Sequence, residues 1–263
     1  MTSRGWWSRG TGPTCVMLVL AGLALAQAGC GGGGSGRDAG LGDAATQDGD
    51  VVGDLGVPLP AAAYLARHDG RRCPSPNCGG YFLQAVNQAD TLCADGTRAS
   101  ECYVADLDWA ASGLSPADQQ RATSGTGGFL LDGVQEQRSY GVGGVFGVLR
   151  VSAAWVSEWG TPLTVPALDA SFHQLSDNGM LCVLEPCFNL PVVTLNTQDS
   201  ELVSALDLTG AGASGAQEAL GRAALEAGTL RATGTIMTDE VAGPGGFGET
   251  YRAQQFYLRL PLD

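Results

Sequence analysis

The 263-residue chain predicts an α+β fold, mostly antiparallel β, built as two internally related repeats of about five strands and one helix each. Three observations predict it. Short β-branched or aromatic runs alternate with Gly- and Pro-rich turns. Each half holds one segment with helix-start signals. Landmarks of the first half also recur in order in the second. Cys73, Cys78 and Asn87 answer to Cys182, Cys187 and Asn196, and Leu107-Asp108 and Ser115 answer to Leu206-Asp207 and Ser214. Gly133 and Trp155 answer to Gly234 and Phe256. The repeats are placed at 61–160 and 165–263.

Residues 1–29 read as a signal peptide. Arg4 and Arg9 precede an apolar run, CVMLVLAGLALAQA (15–28), too short for a comfortable membrane span. Gly29-Cys30 resembles a bacterial lipobox, with Cys30 the lipidated residue; cleavage after Ala28, at an A-x-A site, is the alternative and would give a secreted protein. Cysteine parity favours Cys30. With Cys15 removed and Cys30 lipidated, six of the eight cysteines remain, whereas cleavage after Ala28 orphans a thiol. Likeness to bacterial lipoproteins, with Gly31 after the Cys, implies the outer membrane. Residues 30–60 are rich in Gly, Asp and Ala, expected to be a disordered tether.

Within the repeats, strands are expected at 81–86, 102–109, 128–134 and 148–156, and again in PVVTLN, TLRATGTIM and YRAQQFYLRL. Ser115 caps the first helix, with Pro116 at its first position. Ser214 and Gln217 form a capping box for the second, and Gly228 ends it. The glycine loops 141–147 and 243–248 lie between strands and read as hairpin turns rather than phosphate cradles. The first repeat carries an insertion that brings Cys93 and Cys102.

Charge and cysteine chemistry narrow the function. Fourteen Lys and Arg stand against 27 Asp and Glu, a formal charge of −13, which argues against nucleic acid and anionic lipid as partners. CPSPNCGG (73–80) and CVLEPCFN (182–189) bracket four residues between cysteines. Zinc would require further Cys or His ligands, and the chain holds only His68 and His173. Redox motifs use a shorter spacing. The economical reading is three local disulfides, Cys73–Cys78, Cys93–Cys102 and Cys182–Cys187, with no metal and no cofactor. Asp106 and Asp108, two apart on a strand, share a face and are candidate ligand contacts or an acid–base pair. Trp159 is a further candidate contact, and Trp155 is expected in the core. No nucleophile–histidine–acid pattern is legible.

RRCPSPNCGGYFLQAVN, CYVADLDW and DNGMLCVLEPCF resemble motifs of an uncharacterised cysteine-bearing lipoprotein family of myxobacteria, known only as a domain of unknown function. The resemblance covers most of 64–234. It implies an exported envelope protein and transfers no catalytic residue. The expected function is therefore a non-enzymatic binding or structural module, stapled by disulfides. It would be held to a membrane by a lipid anchor, with an envelope protein as a candidate partner. A proteinase inhibitor, or a hydrolase using Asp106 and Asp108, are the alternatives.

Overall fold

The computed structural model describes residues 59–124, 129–157 and 170–262. The expected signal peptide, Cys30, the tether up to residue 58 and Trp159 lie outside the described residues.

The first stretch runs β1 (Ala62–His68), β2 (Tyr81–Ala85), β3 (Thr91–Leu92), β4 (Arg98–Ala99), β5 (Cys102–Asp108), α1 (Pro116–Thr123), β6 (Phe129–Ser139) and β7 (Val145–Val156). β1 pairs antiparallel with both β2 and β6, β2 with β5, and β6 with β7. β5 and β7 run parallel. These five pairings close a ring, β1-β2-β5-β7-β6, and leave β3 and β4 as a separate two-stranded ribbon. A five-stranded Greek-key barrel with a helix before the closing hairpin has the layout of an OB-fold, and layout alone assigns no activity.

The second stretch runs β8 (Phe172–Leu175), β9 (Leu190–Thr194), β10 (Ser200–Val203), β11 (Ala205–Asp207), α2 (Gly215–Glu226), β12 (Leu230–Gly243) and β13 (Gly246–Arg259). β8 pairs with β9 and β12, β9 with β10, and β12 with β13. β11 lies parallel to β13. β10 and β11, separated only by Ser204, thus bridge β9 to β13 and complete a second ring. Leu258 and Arg259 of β13 pair with Val156 and Trp155 of β7, so both rings belong to one eleven-stranded sheet.

The structure corrects the expected α+β class. The fold is β-rich and mostly antiparallel, with two α-helices of 8 and 12 residues among the described residues. The expectation of about five strands and one helix per repeat does not describe it either. Among the described residues seven strands precede residue 157 and six follow residue 171. The helix signals are sound, but the helices contribute little to the core. α1 buries only Ala122, and α2 only Gly221 and Leu225. The caps work as local chemistry: the Ser115 hydroxyl accepts from the Asp118 amide at 3.2 Å, and the Ser214–Gln217 box is complete. Gly228 follows α2 at φ 68.

Strand side chains supply the cores. Leu83, Val104, Leu131, Leu149 and Val151 fill the first barrel. Leu175, Leu230, Tyr251 and Phe256 fill the second. A third cluster joins Ala63, Val86, Leu130 and Trp155 to Phe172, Leu195 and Tyr257, so the two barrels share an apolar seam. Gly133 and Gly234 sit at bulges in β6 and β12. A Cβ at either would collide with the carbonyl oxygen of Arg150 or Arg252 across the ladder, which is why only glycine fits.

The two glycine loops are strand connections. Pro244-Gly245 joins β12 to β13, closed by the Gly243–Gly246 pair. Residues 140–144 join β6 to β7, with the Tyr140 amide donating to Gly144 O at 2.8 Å.

Candidate functional site

The bracketed cysteine loops are clasps. Cys73–Cys78, Cys93–Cys102 and Cys182–Cys187 are bonded. In the first loop the buried Asp69 carboxylate accepts from the Arg71 amide at 2.9 Å, its guanidinium at 3.0 Å and the Gly79 amide at 3.3 Å. The Arg71 side chain beside it holds the Asp69 carboxyl below its ordinary range. The Tyr103 hydroxyl donates to Pro76 O at 2.7 Å, and Pro76 packs on Gly143 of the β6–β7 turn. Gly80 leaves room for the β5 backbone: a Cβ there would strike Val104 O and lie 2.9 Å from Ala105 Cα. What approaches this glycine is the protein's own bulged strand.

The second loop is pinned as firmly but presents a different surface. Asp177 Oδ1 accepts from the Gly179 amide at 2.8 Å, and Asn178 Oδ1 from the Met180 amide at 2.9 Å. The Cys187 amide donates to Glu185 Oε2 at 3.1 Å. The Gly245 amide, at the β12–β13 turn, donates to Glu185 O at 2.8 Å. On this braced frame Leu181 and Val183 are 96% and 99% exposed, flanked by exposed Met180 and Leu184. Val241 and Phe247, near the same turn, are exposed as well.

A cleft of about 500 Å3 opens at the mouth of the second barrel. β8 contributes His173, β9 Val192 and Thr194, the turn and strand after it Asp199, Ser200 and Glu201, and β12 Gly234–Ile236. His173 Nδ1 lies 2.9 Å from the Tyr251 hydroxyl, inside the barrel. Burial lowers the His173 pKa, partly opposed by Glu201. Burial thus favours the neutral imidazole, and the contact with Tyr251 orients the ring.

The carboxylate pair is placed otherwise. Asp108 Oδ2 accepts from Arg138 at 2.6 Å, and Oδ1 from the Ala110 amide at 3.1 Å, closing a turn. The turn amide, then Arg138, hold its carboxyl below the ordinary range. Exposed Asp106 accepts from the Leu107 amide at 2.8 Å. Asp207 likewise closes a turn, accepting from the Thr209 amide and hydroxyl. His68 is engaged elsewhere, its Nε2 2.9 Å from Thr123 O and its ring packed against Tyr81 and Phe129. Among the described residues no group of three or more His, Cys, Asp or Glu is placed to hold a metal ion.

Sequence reasoning missed the polar seam between the barrels. Asn87 and Asn196 adopt positive φ, 57 and 60, which Asn tolerates better than most residues. The Asn87 side-chain amide donates to Phe172 O at 2.7 Å and Leu195 O at 3.0 Å, and its Oδ1 accepts from the Phe172 amide at 2.8 Å. Asn196 returns the pattern, donating to Ala63 O at 2.8 Å and Val86 O at 2.9 Å and accepting from the Ala63 amide at 2.8 Å. Arg231, buried, grips both Asp132 oxygens at 2.7 Å, reaches Gln174 Oε1 at 3.1 Å and stacks 3.4 Å from the Trp155 ring centroid. The Asn positions were visible as recurring landmarks. Arg231 was visible only as a charge inside an apolar strand.

Three disulfides are the mark of a protein exported from the reducing cytoplasm. No helix among the described residues is long and apolar enough to cross a membrane. No curated protein and no solved structure matches the chain. A family model described as "Domain of unknown function (DUF6748)" matches residues 62–263, spanning both barrels, and the chain belongs to that family.

Proposed function

We propose that the chain is an outer-membrane lipoprotein, anchored through Cys30, whose folded part is a non-enzymatic binding module for an envelope protein. The observation that carries the reading is the loop 178–187. Large apolar side chains are normally withdrawn from water, yet four of them project from a loop held by a disulfide and by backbone amides that donate to the Asn178 and Glu185 side chains. Bracing lowers the entropy lost on binding. In OB barrels the loop after the first strand and the closing hairpin form the binding face; here those are 176–189 and the β12–β13 turn, joined through Glu185 and Gly245. The six clasped cysteines and the N-terminal sequence support export.

Placing a photoreactive residue at Leu181 in cells tests the reading. One discrete protein adduct is expected, abolished by Val183→Asp and absent when the residue sits at exposed Arg98. An adduct spectrum identical at both positions would sink the binding face. Incorporation of labelled fatty acid, lost in Cys30→Ala, tests the anchor, and a label-free secreted chain starting at Gly29 would replace it with the alternative cleavage.

A further inference from the structure

We propose that the mouth of the second barrel binds a cationic group, an ammonium or guanidinium ion carried by a small amine or by a protein side chain. The proposal is independent of the apolar loop. Barrel mouths are a recurrent place for ligand sites, with an apolar floor and a few converging polar groups. Here Val192 and Ile236 line the cleft alongside His173, Thr194, Asp199 and Glu201.

The hydrogen-bonding polarity of the cleft selects the ligand. The Tyr251 hydroxyl lies 3.3 Å from Ala232 O and 2.9 Å from His173 Nδ1. With its proton given to Ala232 O, the hydroxyl accepts from Nδ1–H, and in that tautomer Nε2 offers the cleft a lone pair; the carboxylates favour a cation in either tautomer. Asp199 and Glu201 offer carboxylates, acceptors only when ionised. Neither is in an ion pair with a described residue. Between Arg150 and Arg222, the stretch that carries both carboxylates, the chain has no Lys or Arg. A donor-rich cation complements such a wall, whereas an anion meets repulsion.

Acid should switch the site off. Protonating His173 removes the Nε2 acceptor and adds a positive charge. The titratable groups around it are Glu201 and Asp199 on one side and Tyr251 beneath; β9 and the β12 segment contribute none to the lining.

Isothermal titration of the full chain, disulfides intact, decides the matter. Agmatine and N-acetyl-arginine amide are the cationic probes, and N-acetyl-citrulline amide is the neutral isostere. Saturable binding of a cation and none of citrulline is expected. Asp199→Asn combined with Glu201→Gln, both at exposed positions, should weaken it at least about tenfold, and acidification to pH 5 should weaken it too. Tighter binding of agmatine points to a free amine, and tighter binding of the blocked arginine to a partner's side chain. Equal binding of citrulline, unchanged affinity in the double variant, or no saturation below about 10 mM overturns the proposal.

Discussion

Replacing Arg231 with Met should loosen the joint between the barrels more than any other single polar change. Met preserves an unbranched apolar stem over Trp155 while removing the charge. What is lost is a two-bond grip on Asp132, with both distances 2.7 Å, the bond to Gln174 and the 3.4 Å stacking on Trp155. The Arg231 side chain is 7% exposed and that of Asp132 26%. Breaking a fully buried pair costs about 3–5 kcal/mol. Water can partly reach Asp132, so the lower end applies, about 3 kcal/mol. With a urea slope of about 2 kcal/mol per molar for a domain of this size, the unfolding midpoint should fall by roughly 1.5 M. Tryptophan fluorescence follows the transition, since Trp155 lies at the seam. A double-mutant cycle with Asp132→Asn should return a coupling of about 2 kcal/mol. A loss under about 1 kcal/mol, or strict additivity in the cycle, would refute the argument that this pair ties the barrels together.

Thermal unfolding should rank Asn196→Ala below Asn196→Gly. Both lose three hydrogen bonds, about 2 kcal/mol net, and only Ala adds about 1 kcal/mol of left-handed strain at φ 60; equal stability of the two would remove the backbone explanation. Gly80→Ala should cost about 3 kcal/mol, because the methyl group meets the β5 backbone rather than a movable side chain, and a neutral result in urea titration would contradict that packing. Stability against pH should show two separate windows. His173, depressed by burial, opposes folding as pH falls below about 6.5, and that loss levels off once pH passes its folded pKa. The carboxyls of Asp69, Glu101, Asp108 and Asp207 are held low by their partners. Their contribution is present above about pH 4 and is lost as pH falls through their lower folded values. His173→Gln should flatten only the upper window of the urea midpoint plotted against pH, and an unchanged upper window would exclude His173 as its source.

Local chemistry was legible from the residues because it is local. Ser115 with Pro116, and Ser214 with Gln217, start helices wherever they stand, since the bonds they make lie within three residues. Gly245 and its neighbours turn a hairpin for the same reason. The disulfides were legible because two cysteines separated by five or nine positions meet at little entropic cost. The weight of the helices was misjudged, since capping signals say where a helix begins and nothing about how much core it covers. β1 was not placed as a strand, although it is the strand that closes its ring. It lies next to loop-like sequence, and closure depends on a partner more than fifty residues away.

By itself, then, the sequence determined the turns, the helix caps, the clasped cysteines and an acidic composition. Tertiary structure alone decided that two rings close, that Asn87 and Asn196 each cap the other half, and that Arg231 finds Asp132. It also decided that His173 meets Tyr251 at the mouth of a cleft while Asp108 is taken up by Arg138. The physical reason is the range of the interaction. Backbone propensity and short-loop closure act over a few residues and leave a local signature, whereas ring closure and side-chain pairing across a seam depend on distant strands arriving together.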